Sequence, residues 1–321
     1  MPKIRATLGY IALFTGIWTA RILLWLLPRK LVLASFRGVA NIGLRLFRRF
    51  RERSEENLAV ALRGRVDLTP IVRDSLRNFF QSFAEAALAV DGGLERMRRE
   101  VPATGLEHLR AALAKGNGAI VLSAHFGNFL LLGSRLAAEG LAVYTLINHP
   151  RGGKTGDLAD QYRLKVGQWT IHSHPRKQAF RELSEVLRDN AVAIVIADEF
   201  RSGSGVTVPF FGRTVTARRG PATLALRTGA AVVPAYLLRE KSGGLRLVIE
   251  PEIELRRSGD VKEDVAENTK RMTRWLETTV SAHPEQWNWM SIQWQAPENA
   301  EYHTPPRRSS EQCINQEEET R

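Results

Sequence analysis

The 321-residue sequence contains a single cysteine, Cys313, and shows no internal repeat. No intramolecular disulfide can form, which excludes a disulfide-stapled secreted scaffold and fits a reducing compartment. Long apolar runs are also scarce, because only residues 8–27 approach the roughly 20 apolar residues that cross a bilayer. What remains is a chain of ordinary composition, 44% hydrophobic and 25% charged, which is enough for a substantial core.

Residues 8–27, LGYIALFTGIWTARILLWLL, predict an N-terminal anchor helix that spans the bilayer or lies at its surface. Arg21 interrupts the run and would cost about 2.5–3.5 kcal/mol at the membrane centre, whereas Trp18 and Trp25 suit the interface. A cleaved signal peptide is the alternative, but no small-residue cleavage site follows. More basic residues follow the segment than precede it, so we expect the rest of the chain on the cytoplasmic side.

Positive charge is concentrated at the N-terminus. Residues 1–53 contain eleven lysines and arginines against one acid, Glu52, whereas the rest of the chain carries a net charge of only +2. Residues 31–53 alternate apolar and basic positions, which predicts either an amphipathic helix on anionic lipid or a helix packed on the main domain. A basic patch beside a hydrophobic segment favours a membrane surface and argues against a nucleic-acid partner.

The chain divides into three predicted parts. Residues 1–53 form the anchor and basic helix, residues 54–295 form an α/β domain, and residues 296–321 form a polar, disordered tail. Within the central part, apolar strands alternate with helical patterns, so we predict a mainly parallel sheet with helices on both faces. The predicted strands are residues 119–123, 142–147, 191–197, 206–210, 230–238 and 245–249, and the predicted helices include residues 55–63, 70–90, 129–139, 178–189, 220–228 and 264–283.

His125 lies where the first of these strands is expected to meet a helix. That junction is the usual place for a reactive group in an open α/β sheet. A histidine can accept a proton from a hydroxyl at neutral pH, since its unperturbed pKa is about 6.5. The alternative is a histidine that merely packs in a loop.

Several sequence blocks, taken in order, resemble the late acyltransferases of lipid A biosynthesis, which are lauroyl and myristoyl transferases of the Gram-negative inner membrane. These blocks are ENL at 56–58, SAHFGNF at 123–129, Asp198, VPFFGR at 208–213, GPATLA at 220–225, TGA at 228–230, HPEQWNW at 283–289 and Trp294. The resemblance implies transfer of an acyl group from acyl carrier protein or coenzyme A to a hydroxyl of a lipid acceptor. It implies no metal and no cofactor beyond that acyl donor.

The family motif has an acid five positions after the histidine, and here that position is Leu130. One hypothesis is that another carboxylate reaches His125 in space, and Asp198 and Glu199 follow a strand expected on the same sheet edge. For Asp198, a structural role in holding the next loop is the alternative. The competing hypothesis is a catalytically impaired homologue that acts as a lipid-binding or assembly protein.

Six further residues are predicted to bind substrate. Arg163 and Arg218 suit phosphate groups of the acceptor or the carrier. Phe210, Phe211 and Gly212 are expected near the acyl groove, with one phenylalanine serving as core, and Asn128 either orients His125 or caps a helix. His172 and His174 lack a third ligand at a defined spacing, so we predict no metal site.

Overall fold

The computed structural model describes residues 48–62, 67–89, 92–148, 154–200 and 205–290, and the single positions 22, 26, 31, 38, 292 and 294. The predicted membrane segment 8–27 and the predicted tail 296–321 therefore lie outside the described residues, apart from positions 22 and 26. Within the described part of the chain, no helix combines the length and the apolar character needed to cross a bilayer.

A seven-stranded sheet forms the centre of the fold. The strands in chain order are β1 Ala103–Thr104, β2 Ala119–Ser123, β3 Val143–Ile147, β4 Trp169–His172, β5 Val192–Ile196, β6 Val206–Phe210, β7 Arg213–Ala217, β8 Ala231–Arg239 and β9 Leu245–Ile249. The spatial order is β1-β9-β8-β2-β5-β3-β4, and β6 pairs with β7 in a separate hairpin. Strands β8, β2, β5, β3 and β4 run parallel, whereas β9 is antiparallel to β8. The sheet is mostly parallel, as the sequence predicts.

Helices connect most of the strands. In the described chain they are α1 Arg48–Ala61, α2 Thr69–Ala89, α3 Gly93–Glu100, α4 Leu106–Leu113, α5 Leu132–Ala137, α6 Lys154–Lys165, α7 Arg176–Arg188, α8 Gly220–Thr228 and α9 Val261–Ala282. A 3₁₀ helix, Pro284–Gln286, follows α9. Helix α1 crosses residue 53, so the predicted boundary between the first two parts falls inside one helix.

Alternate residues of the strands supply two cores. Val121 of β2 and Ile194 of β5 pack toward α3, α4 and α5, while Ile120 and Val195 pack toward α7, α8 and α9. Side chains of a strand point alternately to its two faces, so a strand that is apolar at every position must be covered on both sides. Helices on both faces follow from that pattern.

Two details differ from the sequence-based expectation. The helix after β2 begins at Leu132, because residues 126–131 form a turn, so the expected start at residue 129 is wrong. Strands β1, β4 and β7 are not among the predicted strands. In the β6–β7 hairpin, Phe211 and Gly212 form a two-residue turn with φ of 50° and 69°, the positive values that a tight hairpin turn requires.

Candidate active site

The candidate site lies at the carboxyl edge of the two central neighbours, β2 and β5. Ser123 pairs with Ile196 in parallel register, and His125 and Asp198 each lie two residues further along. Equal offsets from one register pair bring the two residues to the same point of the sheet edge. The structure thus places Asp198 beside His125 although 73 positions separate them.

His125 and Asp198 form a close pair. The Nδ1 atom of His125 lies 2.8 Å from Oδ1 of Asp198, and the backbone N–H of His125 donates to Oδ2 at 2.8 Å. Two contacts to one carboxylate fix both the position and the rotation of the imidazole. The Asp198 side chain is fully buried, while 26% of the His125 side chain is exposed. The ring therefore joins a buried anion to the surface.

Trp287 completes the surroundings of Asp198. Its indole Nε1–H donates to Oδ2 at 2.8 Å, and its own side chain is fully buried. Burial alone would raise the pKa of Asp198, but the charge of His125 and the hydrogen bonds from His125 and Trp287 outweigh it and hold the pKa below its usual range. Asp198 is therefore ionised at neutral pH.

Backbone contacts hold the turn that carries His125. The N–H of Gly127 donates to the carbonyl of Gln286, and the N–H of Asn288 donates to the carbonyl of His125. Gly127 has φ of 55°, and a Cβ there would lie 1.9 Å from the carbonyl oxygen of Leu237. Only glycine fits so close to β8. The turn is therefore pressed between β8 and the segment that follows α9.

A buried ion pair lies beneath the same turn. Glu85 of α2 accepts two hydrogen bonds of 2.7 Å from Arg239, at the end of β8, and a third of 2.7 Å from the Asn128 amide. Gln81 donates to the same carboxylate at 2.8 Å. Removing one partner of a buried pair leaves an uncompensated charge, so such a network ties α2, the turn and β8 together.

Leu130 stands at the motif position where the family has an acid, but its apolar side chain cannot bind the imidazole of His125. Its side chain is half-buried and packs against the core beside α5, and its carbonyl accepts from the Gln168 amide at 3.2 Å. The contact to His125 Nδ1 is instead supplied by Asp198 from β5. The chain therefore retains a histidine–carboxylate pair despite the missing motif acid.

Three other predicted site residues, Glu199, Arg218 and Asn128, lie near this edge. Glu199 contacts Arg218 at 3.8 Å and Asn148 at 3.5 Å. Arg218 also lines a concavity with Ala197, Pro221 and Met272, which places it beside the strand end that carries Asp198. Asn128 is fully buried, and its oxygen accepts from Leu131 N, so its amide supports the turn from below.

The Arg163 guanidinium pairs with Asp160 at 2.9 Å. Burial lowers the pKa of Arg163, and the charge of Asp160 partly offsets that effect. Phe210 is fully buried against Phe200 and Trp287, so it is the core member of its pair of phenylalanines. Phe211 and Gly212 form the hairpin turn beside it, and Phe211 contacts Trp289.

Sequence reasoning missed Trp287 and Glu85 as parts of the site. Trp287 belongs to the HPEQWNW block, and no spacing rule links it to residue 198. Glu85 is the single acid of residues 75–89, which is the one signal that could have drawn attention to it. Both act through contacts between segments that are distant in sequence.

The fold and the site together define a class: an α/β protein with a histidine held by a buried carboxylate at the carboxyl edge of its sheet. Residues 2–296 match the model of the bacterial lipid A biosynthesis acyltransferase family. The chain belongs to this family, and it is an acyltransferase that transfers groups other than aminoacyl groups.

Curated relatives agree with that assignment. The chain is 28% identical over 279 residues to a phosphatidylinositol mannoside acyltransferase of Mycobacterium tuberculosis, covering 85% of this chain and 86% of the relative. A Mycolicibacterium smegmatis protein of the same name is 29% identical over 278 residues, covering 84% and 88%. A lipid A biosynthesis acyltransferase of Haemophilus influenzae is 24% identical over 188 residues, covering 58% and 56%.

Proposed function

We propose that this protein moves a fatty acyl group from a thioester donor to a hydroxyl of a membrane lipid, with His125 as general base and Asp198 as its orienting carboxylate. The observation that carries the proposal is the 2.8 Å contact between His125 Nδ1 and a fully buried, ionised Asp198. The contact gives His125 a carboxylate partner, although the motif position that would supply one is occupied by Leu130.

The proposed reaction follows from the geometry of the pair. With Nδ1 held by Asp198, Nε2 is the ring nitrogen that takes the proton of the acceptor hydroxyl. The oxygen attacks the thioester carbonyl, the C–S bond breaks, and the imidazolium returns the proton to the departing thiolate. Asp198 stabilises the imidazolium while it exists, as the carboxylate of a serine hydrolase triad does.

The acceptor is proposed to be a phosphate-bearing membrane lipid, either a lipid A precursor or a related glycolipid. Arg163 and Arg218 are the guanidinium groups that would bind its phosphate or that of the carrier, because guanidinium pairs well with phosphate. Two of the relatives are named for phosphatidylinositol mannoside, a lipid that contains a phosphate. The donor is acyl carrier protein or coenzyme A, and no metal takes part.

The proposed location is the inner membrane, with the N-terminal segment as anchor and the α/β domain on the cytoplasmic side. The support is the apolar run at residues 8–27 and the net charge of +10 over residues 1–53. Family membership adds to this, since the relatives are named as acyltransferases of phosphatidylinositol mannoside and of lipid A biosynthesis.

The test is acyl transfer by the full-length protein and by His125→Ala. Donors are palmitoyl-coenzyme A and palmitoyl acyl carrier protein, and acceptors are lysophospholipids, lipid A precursors and phosphatidylinositol mannosides. We expect transfer by the parent for at least one pair and a loss of about 10³-fold or more in the variant. Equal, near-zero rates for both proteins, with the lipids still bound, would instead favour the lipid-binding homologue that Leu130 suggested.

A further inference from the structure

Two phenylalanines on successive turns of α2 are exposed. Phe80 keeps 37% and Phe83 47% of its accessible surface. Single exposed apolar side chains are common in soluble proteins, but contiguous apolar patches mark sites of interaction. Phe79, half-buried between them, contacts both rings, at centroid distances of 5.8 Å to Phe80 and 5.1 Å to Phe83.

The exposed rings connect to the catalytic histidine. Phe79 stacks on Phe129 at 6.4 Å, and Phe129 meets the His125 ring edge-on at 4.9 Å. Phe79, Phe80, Phe83 and Phe129 are called the aromatic surface below. It runs without a break from the outside of α2 to the imidazole.

We propose that the aromatic surface docks on a lipid bilayer, with Phe80 and Phe83 reaching the boundary between headgroups and acyl chains. A lipid hydroxyl in that membrane then approaches His125 along the side that Phe129 lines. The docking rests on the exposed rings and on the charge near them, whereas the approach of the hydroxyl rests on the function proposed above.

Charge on the same helix face favours a membrane as the occupant. Arg73, Arg77 and Phe80 lie four and three residues apart, which puts them on one side of α2. Both guanidinium groups contact the carboxylate of Asp74, at 3.2 and 3.1 Å, so two cationic groups and one anionic group of this helix lie on the side that carries Phe80. Phenylalanine flanked by arginine is the composition of helices that lie in the interface of anionic membranes.

The sequence that precedes α2 is also basic. Helix α1 packs against α2 through Leu58, Leu76 and Val72, and residues 1–53, which include the start of α1, carry a net charge of +10. Basic groups near an anionic leaflet contribute about 1 kcal/mol each. This charge would not stabilise the binding of a second protein copy, because the same surface of that copy is also positive.

The first experiment reads the docking without using activity. In a Cys313→Ser background, Phe83→Cys and Val261→Cys are each labelled with an environment-sensitive fluorophore. Val261 is the matched control because it is 68% exposed on α9. With vesicles of equimolar phosphatidylcholine and phosphatidylglycerol, we expect a blue shift at position 83 that brominated lipids quench, and no change at position 261.

Three results would overturn the docking. The first is a label at position 83 that does not respond while the protein sediments with the vesicles, and the second is a protein that does not sediment at all. The third is a label that is already blue-shifted without lipid and insensitive to the quencher, which would mean that another segment or a second copy covers the surface.

The second experiment links the docking to catalysis. For Phe80→Ser/Phe83→Ser we expect the KM for a vesicle-borne acceptor to rise about tenfold with kcat nearly unchanged, since uniform binding is lost. Leu164→Ser/Val261→Ser, at two exposed apolar positions elsewhere, should behave like the parent. An unchanged KM in the phenylalanine variant would contradict the proposal. If the parent transfers no acyl group, the proposed function fails, but the fluorescence result still decides the docking.

Discussion

Two histidine–aspartate pairs lie at the ends of strands in the described part of the molecule, and they are built differently. At the end of β2, His125 Nδ1 meets Asp198 at 2.8 Å. At the end of β4, His172 Nε2 meets Asp160 of α6 at 3.3 Å. By residue type the two pairs are the same, so their surroundings must determine which of them can serve as a base and its orienting group.

The surroundings differ in what else the carboxylate binds. Asp198 is fully buried and receives N–H groups from His125 and Trp287, so its negative charge is directed at the imidazole. Asp160 is partly exposed and also holds the cationic Arg163 at 2.9 Å. A carboxylate that already pairs with a guanidinium stabilises a protonated imidazole less. The first carboxylate is fully buried and its other side-chain partner is a neutral indole, whereas the second is partly exposed and also binds a cation.

The largest expected effect comes from neutralising each carboxylate in turn. Asp198→Asn keeps the shape but loses the charge, so kcat for acyl transfer should fall about 10³- to 10⁴-fold. Asp160→Asn should change kcat less than about threefold. Steady-state rates at saturating donor and acceptor measure both. Similar losses in the two variants would show that the pairs are not functionally distinct.

The ion pair beneath the His125 turn should dominate stability. Glu85→Ala leaves the Arg239 guanidinium buried without its carboxylate, which should lower the free energy of unfolding by about 3–5 kcal/mol. Glu100→Ala, which breaks the exposed pair with Arg96 at 2.7 Å, should cost less than about 1 kcal/mol. Urea unfolding followed by circular dichroism compares them. A small cost for Glu85→Ala would mean that the turn is held by its backbone contacts alone.

Removing the indole donor should have an intermediate effect. Trp287→Phe deletes one charge-assisted hydrogen bond to Asp198, and kcat should fall about 10- to 100-fold. Trp275→Phe is the control, because the Trp275 indole donates in the same way to Glu250, at 2.8 Å. It should leave kcat within about threefold of the parent. A Trp287→Phe enzyme with parental kcat would remove Trp287 from the site.

The lowered pKa of Asp198 predicts how stability depends on pH. An aspartate has a pKa of about 3.9 when unfolded, and its folded pKa here is lower. The stabilisation from its ionised form is therefore complete above about pH 4 and is lost as the pH falls through the folded pKa. The stability gap between the parent and Asp198→Asn should narrow in that acidic range. Urea titrations at several pH values test this, and a gap independent of pH would contradict it.

Restoring the motif acid should have the smallest effect. Because Asp198 already occupies Nδ1 of His125, Leu130→Glu should not raise kcat by more than about threefold, and burying a carboxylate among apolar groups should lower stability. Leu130→Gln controls for the polar side chain without the charge. A gain of tenfold or more in the glutamate variant alone would mean that Asp198 serves His125 poorly.

Local patterns predicted the parts of the fold that depend on single segments. Strands β2, β5 and β8 are continuous apolar runs, and Asp198 could be proposed because it follows such a strand. The start of α5 at Leu132 could not be predicted, since the approach of Gly127 to Leu237 and the contact of Asn128 with Glu85 extend the turn. The choice of Asp198 over Glu199 likewise depends on the register of two strands and on Trp287.

The indole that completes the site comes from residue 287, beyond every strand of the sheet. A nascent chain that has just left the ribosome with β9 complete already contains both His125 and Asp198, yet it lacks the donor that holds the carboxylate and the segment that closes over the turn. The proposed acid–base chemistry therefore waits until translation has passed Trp287, and shortening the chain before that residue should abolish activity without removing either partner of the pair.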